Sequence, residues 1–297
     1  MMKRLVYNLF RDVKRFLIVH KPPIVTAVFF AALPKLEKVF SGRKRNWQAE
    51  LQARISKLLY FSKYSRLNPP FVLKTDRPVA IDSDDHLWPH GSACDNSSNR
   101  LFNVKLYDLL KYKPDLKLLD FGCSGGAFVK SVLDDGYTAI GLEGSDISKK
   151  LQNGEWDTIP LHLFTCDITR PFSLEDSSGP TISFDVITAW EVLEHIPREA
   201  IPGLIENIRS NLRVGGYFIA SVATFPDANP NLNAVYHVTL ENKDWWLSKF
   251  VERGFLEVTD HKFQTRDWVR GNGVGITDWD PASGDGFHLF LRKAEAA

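Results

Sequence analysis

The sequence predicts an α/β fold: a doubly wound, mostly parallel sheet of seven strands, closed by an antiparallel C-terminal hairpin and preceded by a basic helical extension. Three observations predict it. From about residue 100 onward, strand-length apolar runs alternate with helix-length segments, the pattern of right-handed βαβ units. Runs such as DVITAW (185–190) offer apolar residues to both faces, as a strand covered by helices on either side requires. The last two strand-like runs are joined by about two dozen Gly- and Asp-rich residues instead of a helix, which favours a hairpin at the sheet edge.

The charge pattern divides the 297 residues before the sheet begins. Residues 1–66 hold 15 Lys and Arg against 3 Asp and Glu; the remainder holds 22 against 33. The balance therefore swings from +12 to −11, the signature of a basic arm joined to an acidic domain. Val6, Phe10, Val13 and Leu17, and again Trp47, Leu51, Ile55, Leu58 and Leu59, recur at helical spacing among basic residues. Residues 1–67 thus read as amphipathic helices, which either pack on the main domain or contact an anionic membrane surface. The apolar run IVTAVFFAAL (24–33) is half the length of a membrane span, and no cleavage box follows it. Three scattered cysteines form neither a disulfide framework nor a zinc motif, so a cytoplasmic location is expected, with peripheral contact at the inner face of a membrane as its extension. Residues 68–99, with the pair Pro69-Pro70 and many Asp, Asn and Ser turn formers, read as a linker and a segment closing over a ligand.

The regular part, residues 100–297, reads in order as helix 100–112, strand 116–121, helix 126–135, strand 137–142, helix 146–152, strand 161–166, strand 183–189, helix 198–212, strand 216–222, helix 241–253, strand 255–263 and strand 287–293. In such a sheet, ligands bind beyond the carboxyl ends of the strands. The first tip carries Asp120 and the turn Gly122-Cys123-Ser124-Gly125-Gly126; the second carries Glu143 and Gly144, the third Asp167 and Ile168, the fourth Trp190 and Glu191. A nicotinamide enzyme is the first rival, because Gly122, Ser124 and Ala127 fit G-x-G-x-x-G/A loosely and Glu143 follows at the expected distance. Ser124 in place of the second glycine and the carboxylate of Asp120 beside the turn oppose a pyrophosphate and suit a cation. A ligand cationic at one end, with a ribose and an adenine, is S-adenosyl-L-methionine (SAM).

The motifs LLDFGCSGGAF, AIGLEGSDIS, TCDITRPF, FDVITAWEVLEHIP and NLRVGGYFIAS, taken in order, resemble those of a class I SAM-dependent methyltransferase, of the kind acting on small molecules and sugars. The resemblance spans residues 116–222 and departs only at Ser124, where the family has a middle glycine. It implies a Rossmann-like fold, SAM as cofactor and methyl transfer to a hydroxyl. It also implies roles: Gly122 and Gly126 let the backbone approach the cofactor, Asp120 orients it directly or through the turn, Glu143 grips the ribose hydroxyls, and Asp167 lies near adenine. Helix capping or loop bracing is the competing reading for each acid, and simple packing for Trp190.

Two histidines compete for the role of base. His195 lies in EVLEHIP, a pattern equally suited to a structural or cofactor-side histidine; His237 lies in NAVYHVTL, in a loop expected to cross the mouth of the site. The insert 264–286, with Trp268, Trp279, Asp278, Asp280 and Asp285, suits either sugar contact or a lid. His86, His90, Asp82, Asp84 and Asp85 show no diagnostic metal spacing, and no metal is expected. The resulting expectation is a methyltransferase with a small-molecule or glycan acceptor. An RNA methyltransferase using the basic arm is less favoured, because no RNA-binding module accompanies it, and a non-catalytic scaffold is disfavoured by the intact acids at three tips.

Overall fold

The computed structural model describes residues 71–87, 89, 95–176, 179, 182–269 and 285–295. The basic arm therefore lies outside the described residues. The unit containing the sheet begins at Phe71. Strand β1 (Phe71–Thr75) is followed by a single helical turn, α1 (Asp84–Leu87), and by α2 (Arg100–Leu109). Then come β2 (Lys117–Phe121), α3 (Ala127–Asp134), β3 (Thr138–Glu143), α4 (Ile147–Leu151), β4 (Leu163–Thr165), β5 (Phe172–Asp176) and β6 (Phe184–Trp190). The chain ends with α5 (Ile201–Asn211), β7 (Leu212–Ala223), the short pair β8 (Ala228–Asn229) and β9 (Ala234–Val235), α6 (Lys243–Val251), β10 (Phe255–Glu257) and β11 (Gly286–Lys293).

Seven strands form one sheet in the order β10-β11-β7-β6-β2-β3-β4. Pairings β2–β3, β2–β6, β3–β4 and β6–β7 are parallel, and β11 runs antiparallel to both β7 and β10. The chain order reverses on either side of β2, so the tips of β2 and β6 flank the switch point at which such sheets bind ligands. The C-terminal hairpin lies at the sheet edge, as the missing crossover helix required.

Alternation along the strands divides the core. Leu119, Phe121, Ile187, Ala189, Phe218 and Ala220 point to one face, where Leu204, Ile205 and Ile208 of α5 and Trp246 and Phe250 of α6 cover them. Trp190 points to the opposite face, where it meets Phe102 of α2 and Phe128 of α3 at ring separations of 4.9 and 5.8 Å. Leu118 and Leu119 are both fully buried, which a strand achieves only when both faces are covered.

Three local readings change. Residues 71–75, inside the segment that reads as a linker, pair antiparallel with β5 in a two-stranded ribbon from Phe71↔Asp176 to Thr75↔Phe172. The alternation in FVLKT is too short to be told from a loop by sequence, and its partner lies about 100 residues away. β7 starts at Leu212, directly after α5, and β10 stops at Glu257, beyond which His261 stacks on Phe290 instead of extending the edge.

Candidate active site

The tips of β2, β3 and β6, the chain following β4, and the segments crossing them enclose a cavity of about 850 Å³, within the ~300–1,000 Å³ of small-molecule sites. After β2 the chain turns through positive φ values at Gly122 (+68°), Ser124 (+48°) and Gly126 (+87°). A Cβ on Gly122 would lie 2.4 Å from Cγ2 of Val192, so glycine alone lets the turn lie against the loop after β6.

The amides of this turn are all engaged within the protein. Gly122 and Cys123 donate to the Leu142 carbonyl (2.8 and 3.0 Å), Gly125 to the Asp95 carbonyl (3.0 Å) and Gly126 to the Cys123 carbonyl (2.8 Å). Ser124 donates to Glu143 Oε2 (2.8 Å), and Ala127 to Asn96 Oδ1 (2.9 Å). The amides of Gly122 and Gly126 thus carry internal bonds, while Gly122 itself lines the cavity. Gly126, unlike Gly122, is absent from the cavity lining: a Cβ there would lie 2.6 Å from Leu163 Cδ1, so its conformation serves the packing of the turn on β4. A turn without an open array of N–H groups is no cradle for phosphate. Ser124 does line the cavity, and its hydroxyl donates to the Asp95 carbonyl (2.8 Å), fastening residues 95–96 over the turn.

Asp120 also stands outside the lining. It is 2% exposed, beneath the turn, and accepts a 2.6 Å bond from the Thr188 hydroxyl of β6. Burial pushes its pKa to about 8; the Thr188 bond pulls it down, and the charges of Glu143 and Asp95 raise it further. Its reach to any ligand is therefore through the turn.

The other strand-tip residues do face the cavity. Glu143, at the end of β3, takes the Ser124 amide on Oε2 and the Ser145 amide on Oε1 (3.2 Å), which fixes the plane of its carboxylate across two loops. Burial raises its pKa, and the bonds from Ser145 and Ser124 oppose the rise. Gly144 lies beside it, with Ala80 packed 3.3 Å from where a side chain would begin. Beyond β4, Asp167 holds Thr169 by both amide and hydroxyl on Oδ1 (2.9 and 2.6 Å), while Oδ2 takes no partner among the described residues. Ile168 continues the lining as an apolar wall. Trp190 and Glu191 line it after β6; the Trp190 indole packs among Phe102, Phe128 and Trp268, and its Nε1 is buried without a partner among the described residues. Glu191 takes a φ of +57°, and its amide is held by the Ser221 hydroxyl (3.0 Å).

The two histidines, 42 positions apart in the chain, meet edge to face at 4.8 Å. Their surroundings push them in opposite directions. His195 Nδ1 lies 2.6 Å from Asp85 Oδ2. Burial lowers its pKa, but that hydrogen bond and the charges of Asp85, Glu194 and Asp227 outweigh it and bring it to about 9. His237 Nδ1 donates to the Phe225 carbonyl at 2.6 Å, which leaves the lone pair on Nε2, 4.0 Å from Asp227 Oδ2. Burial first, then the charge on His195, lowers the pKa of His237, against the pull of Phe225 and Asp227. One ring is thus a cation at neutral pH and its neighbour a neutral base in a fixed tautomer.

Glu194 brings a carboxylate into this group, and one ligand-type atom from each of Glu194, His195 and His237 lies within 4.8 Å of the others. Asp85 engages His195 through Nδ1, so a cation there would take the place of the proton on Nε2. The acids near α1 are otherwise committed: Asp84 Oδ2 accepts from the Val235 amide (2.8 Å) and Asp85 from His195. His90 lies outside the described residues, as do Asp278, Trp279 and Asp280. Trp268 is buried, stacked on His288 at 4.2 Å, and so belongs to the aromatic core instead of an acceptor surface.

Sequence reasoning passed over Asp95 and Phe225 as site residues and weighed Asp85 only as a metal ligand. Asp95 and Asp85 sit in polar, turn-rich stretches where acids are common, and Phe225 acts through its carbonyl, which no side-chain pattern reveals.

The sequence pattern of a family described as a methyltransferase domain matches residues 92–267. A relative from Schizosaccharomyces pombe, the mitochondrial ubiquinone biosynthesis O-methyltransferase, is 26% identical over 54% of this chain and 64% of its own length. The ubiquinone biosynthesis O-methyltransferase of Thiobacillus denitrificans is 30% identical over 28% of this chain and 35% of its own. The chain thus spans less than two thirds of the curated relatives it matches. Among solved structures, the magnesium protoporphyrin IX methyltransferase of Synechocystis, determined with bound SAH, superposes with a TM-score of 0.43 at 15% identity, over 65% of this chain and 82% of that one. Over the matched residues, which include every strand tip of the cavity, the chain belongs to the methyltransferase domain family.

Proposed function

We propose that this chain transfers the methyl group of S-adenosylmethionine to a hydroxyl of a small molecule or glycan. One observation carries the reading: the strand-tip acids Glu143 and Asp167 and the His195–His237 pair open into one cavity, beside a glycine turn closed to phosphate. The residues fit the cofactor. We assign Glu143 to the ribose hydroxyls, Asp167 Oδ2 to the adenine amino group, and Asp95, whose Oδ1 holds the Ser97 amide and hydroxyl, to the methionyl ammonium.

When bound, the cofactor supplies an electrophilic sulfonium methyl. Holding the acceptor in line with it is worth roughly 7–11 kcal/mol of barrier. His237 Nε2 accepts the proton that the acceptor hydroxyl releases as its oxygen takes the methyl, a contribution of about 10²–10⁴-fold. The Phe225 carbonyl holds the ring in the tautomer this requires, and Asp227 faces the imidazolium that results. His195, already charged, is the weaker candidate for that task.

Calorimetry with S-adenosylhomocysteine tests the cofactor half of the reading. Glu143→Ala should weaken binding by on the order of 10- to 100-fold, as loss of charge-assisted hydrogen bonds predicts; unchanged affinity would remove the ribose from Glu143. Labelled-methyl transfer into cell extract then identifies the acceptor. Residues 1–66, with their balance of +12, are assigned to peripheral contact with an anionic membrane; liposome flotation that survives their deletion would exclude this.

A further inference from the structure

One short segment ties the whole site together. Between Arg77 and Leu87 the chain contacts the loops after β3, β4 and β6 and the loop that carries His237. The Asp167 amide donates to the Arg77 carbonyl (2.9 Å) and the Ala80 amide to the Gly144 carbonyl (2.9 Å). The Ser145 hydroxyl donates to the His86 carbonyl (3.1 Å), and the Val235 amide to Asp84 Oδ2 (2.8 Å). The adenine side, the ribose side and the loop bearing His237 are thus all anchored to the same strap. At its centre Asp85 reaches His195 at 2.6 Å.

We propose that Asp85 is a positioning residue for methyl transfer: carried by the strap, its carboxylate fixes the His195 ring edge-on to His237 and holds a proton on it, which leaves His237 as the one ring ready to take a proton. The inference rests on the reading of His237 as the base. The groups facing the pair bear it out. Asp85 from α1, the neighbouring Glu194 and Asp227 from the loop after β7 surround His195, while His237 faces Asp227, the Phe225 carbonyl and the His195 ring and feels the charge of Asp85 as well. Glu194 is wholly buried with Oε1 on the Ala223 amide (3.0 Å), and burial lifts its own pKa to about 7, so at neutral pH it is only partly a counter-charge for His195. Asp85 is the acid in hydrogen-bond contact. Without it, only the charges of Glu194 and Asp227 oppose burial, which favours the neutral imidazole. His195 then sheds its proton more readily, and a second neutral ring competes with His237 for the proton of the acceptor. Because the strap is anchored on Gly144, Ser145 and Asp167, the residues assigned to the adenosyl moiety, its docking links an ordered cofactor site to a correctly charged histidine pair.

The test is a histidine-labelled ¹⁵N–¹H long-range spectrum of the full chain, with the two rings assigned by His195→Gln and His237→Gln. The wild type should show His195 protonated on both nitrogens at neutral pH, with its midpoint near pH 9, and His237 neutral with its proton on Nδ1. In Asp85→Asn the His195 midpoint should fall, and Asp85→Glu should restore the wild-type pattern. A neutral His195 in the wild type, or one unmoved in Asp85→Asn, overturns the proposal, and the wild-type spectrum decides this even if a variant fails to fold. Calorimetry with S-adenosylhomocysteine on the same samples keeps the two readings apart: failure of the wild type to bind it would sink the cofactor assignment, whereas the spectrum alone judges Asp85.

Discussion

Replacing Asp120 by asparagine should make the protein more stable, and the gain should grow from acid to neutral pH. Asp120 is 2% exposed beneath the glycine turn, and its pKa is displaced from 3.8 to about 8, chiefly by burial. A carboxyl whose folded pKa exceeds its unfolded value binds its proton more tightly in the folded state. Its contribution to stability is complete below the unfolded pKa and is lost as pH rises through the folded one. The window is therefore from about pH 4 to about pH 8. At ~1.4 kcal/mol per pH unit, the gap corresponds to an upper bound of ~6 kcal/mol; relaxation of the native state and water penetration reduce it to several kcal/mol. Asparagine keeps the shape and can still accept the bond from Thr188, while it carries no titratable proton. Urea unfolding of both proteins at about pH 5 and about pH 8 measures the effect. The wild type should lose midpoint between the two, and Asp120→Asn should lose much less. Parallel pH profiles would refute the reasoning, because Asp120 would then ionise at no cost. Because Asp120 lies outside the cavity lining, cofactor affinity should change little; a large loss would place it in contact with the ligand.

His237→Ala should lower turnover on the identified acceptor by about 10²–10⁴-fold while binding of S-adenosylhomocysteine is retained; full turnover would return the role of base to His195 or to solvent. Gly125→Ala would place a Cβ 2.6 Å from both the Asp95 carbonyl and Asn96 Oδ1. It should push residues 95–96 off the turn, with loss of the three bonds they accept, at a cost of about 3 kcal/mol in a urea titration. An unchanged unfolding midpoint would show that this closure contributes nothing to the folded state.

Much of the sheet was legible because its strands are long, apolar on both faces and separated by amphipathic helices; β2, β3, β6 and β11 fall within a residue or two of their expected bounds. The β1–β5 ribbon was not, because five alternating residues carry little signal and pairing with a partner about 100 residues away leaves none in a local pattern. The site divides along the same line. Glu143, Asp167 and Trp190 were readable because a strand tip is a place in the sequence as well as in space. Asp95, Asp85 and Phe225 were not, because they act through a backbone carbonyl or a contact made only after the chain has folded back.

By itself the sequence determined the alternating sheet, the order of its tips and the acids they carry, because periodicity and turn chemistry are local. Only the tertiary structure decided what those groups do. It enclosed the turn's amides in bonds from within the protein, sank Asp120 beneath them, and set one histidine against a carboxylate and the other against a carbonyl. Charge state depends on burial and on neighbours brought together across the fold, and neither is written in the spacing of residues along the chain.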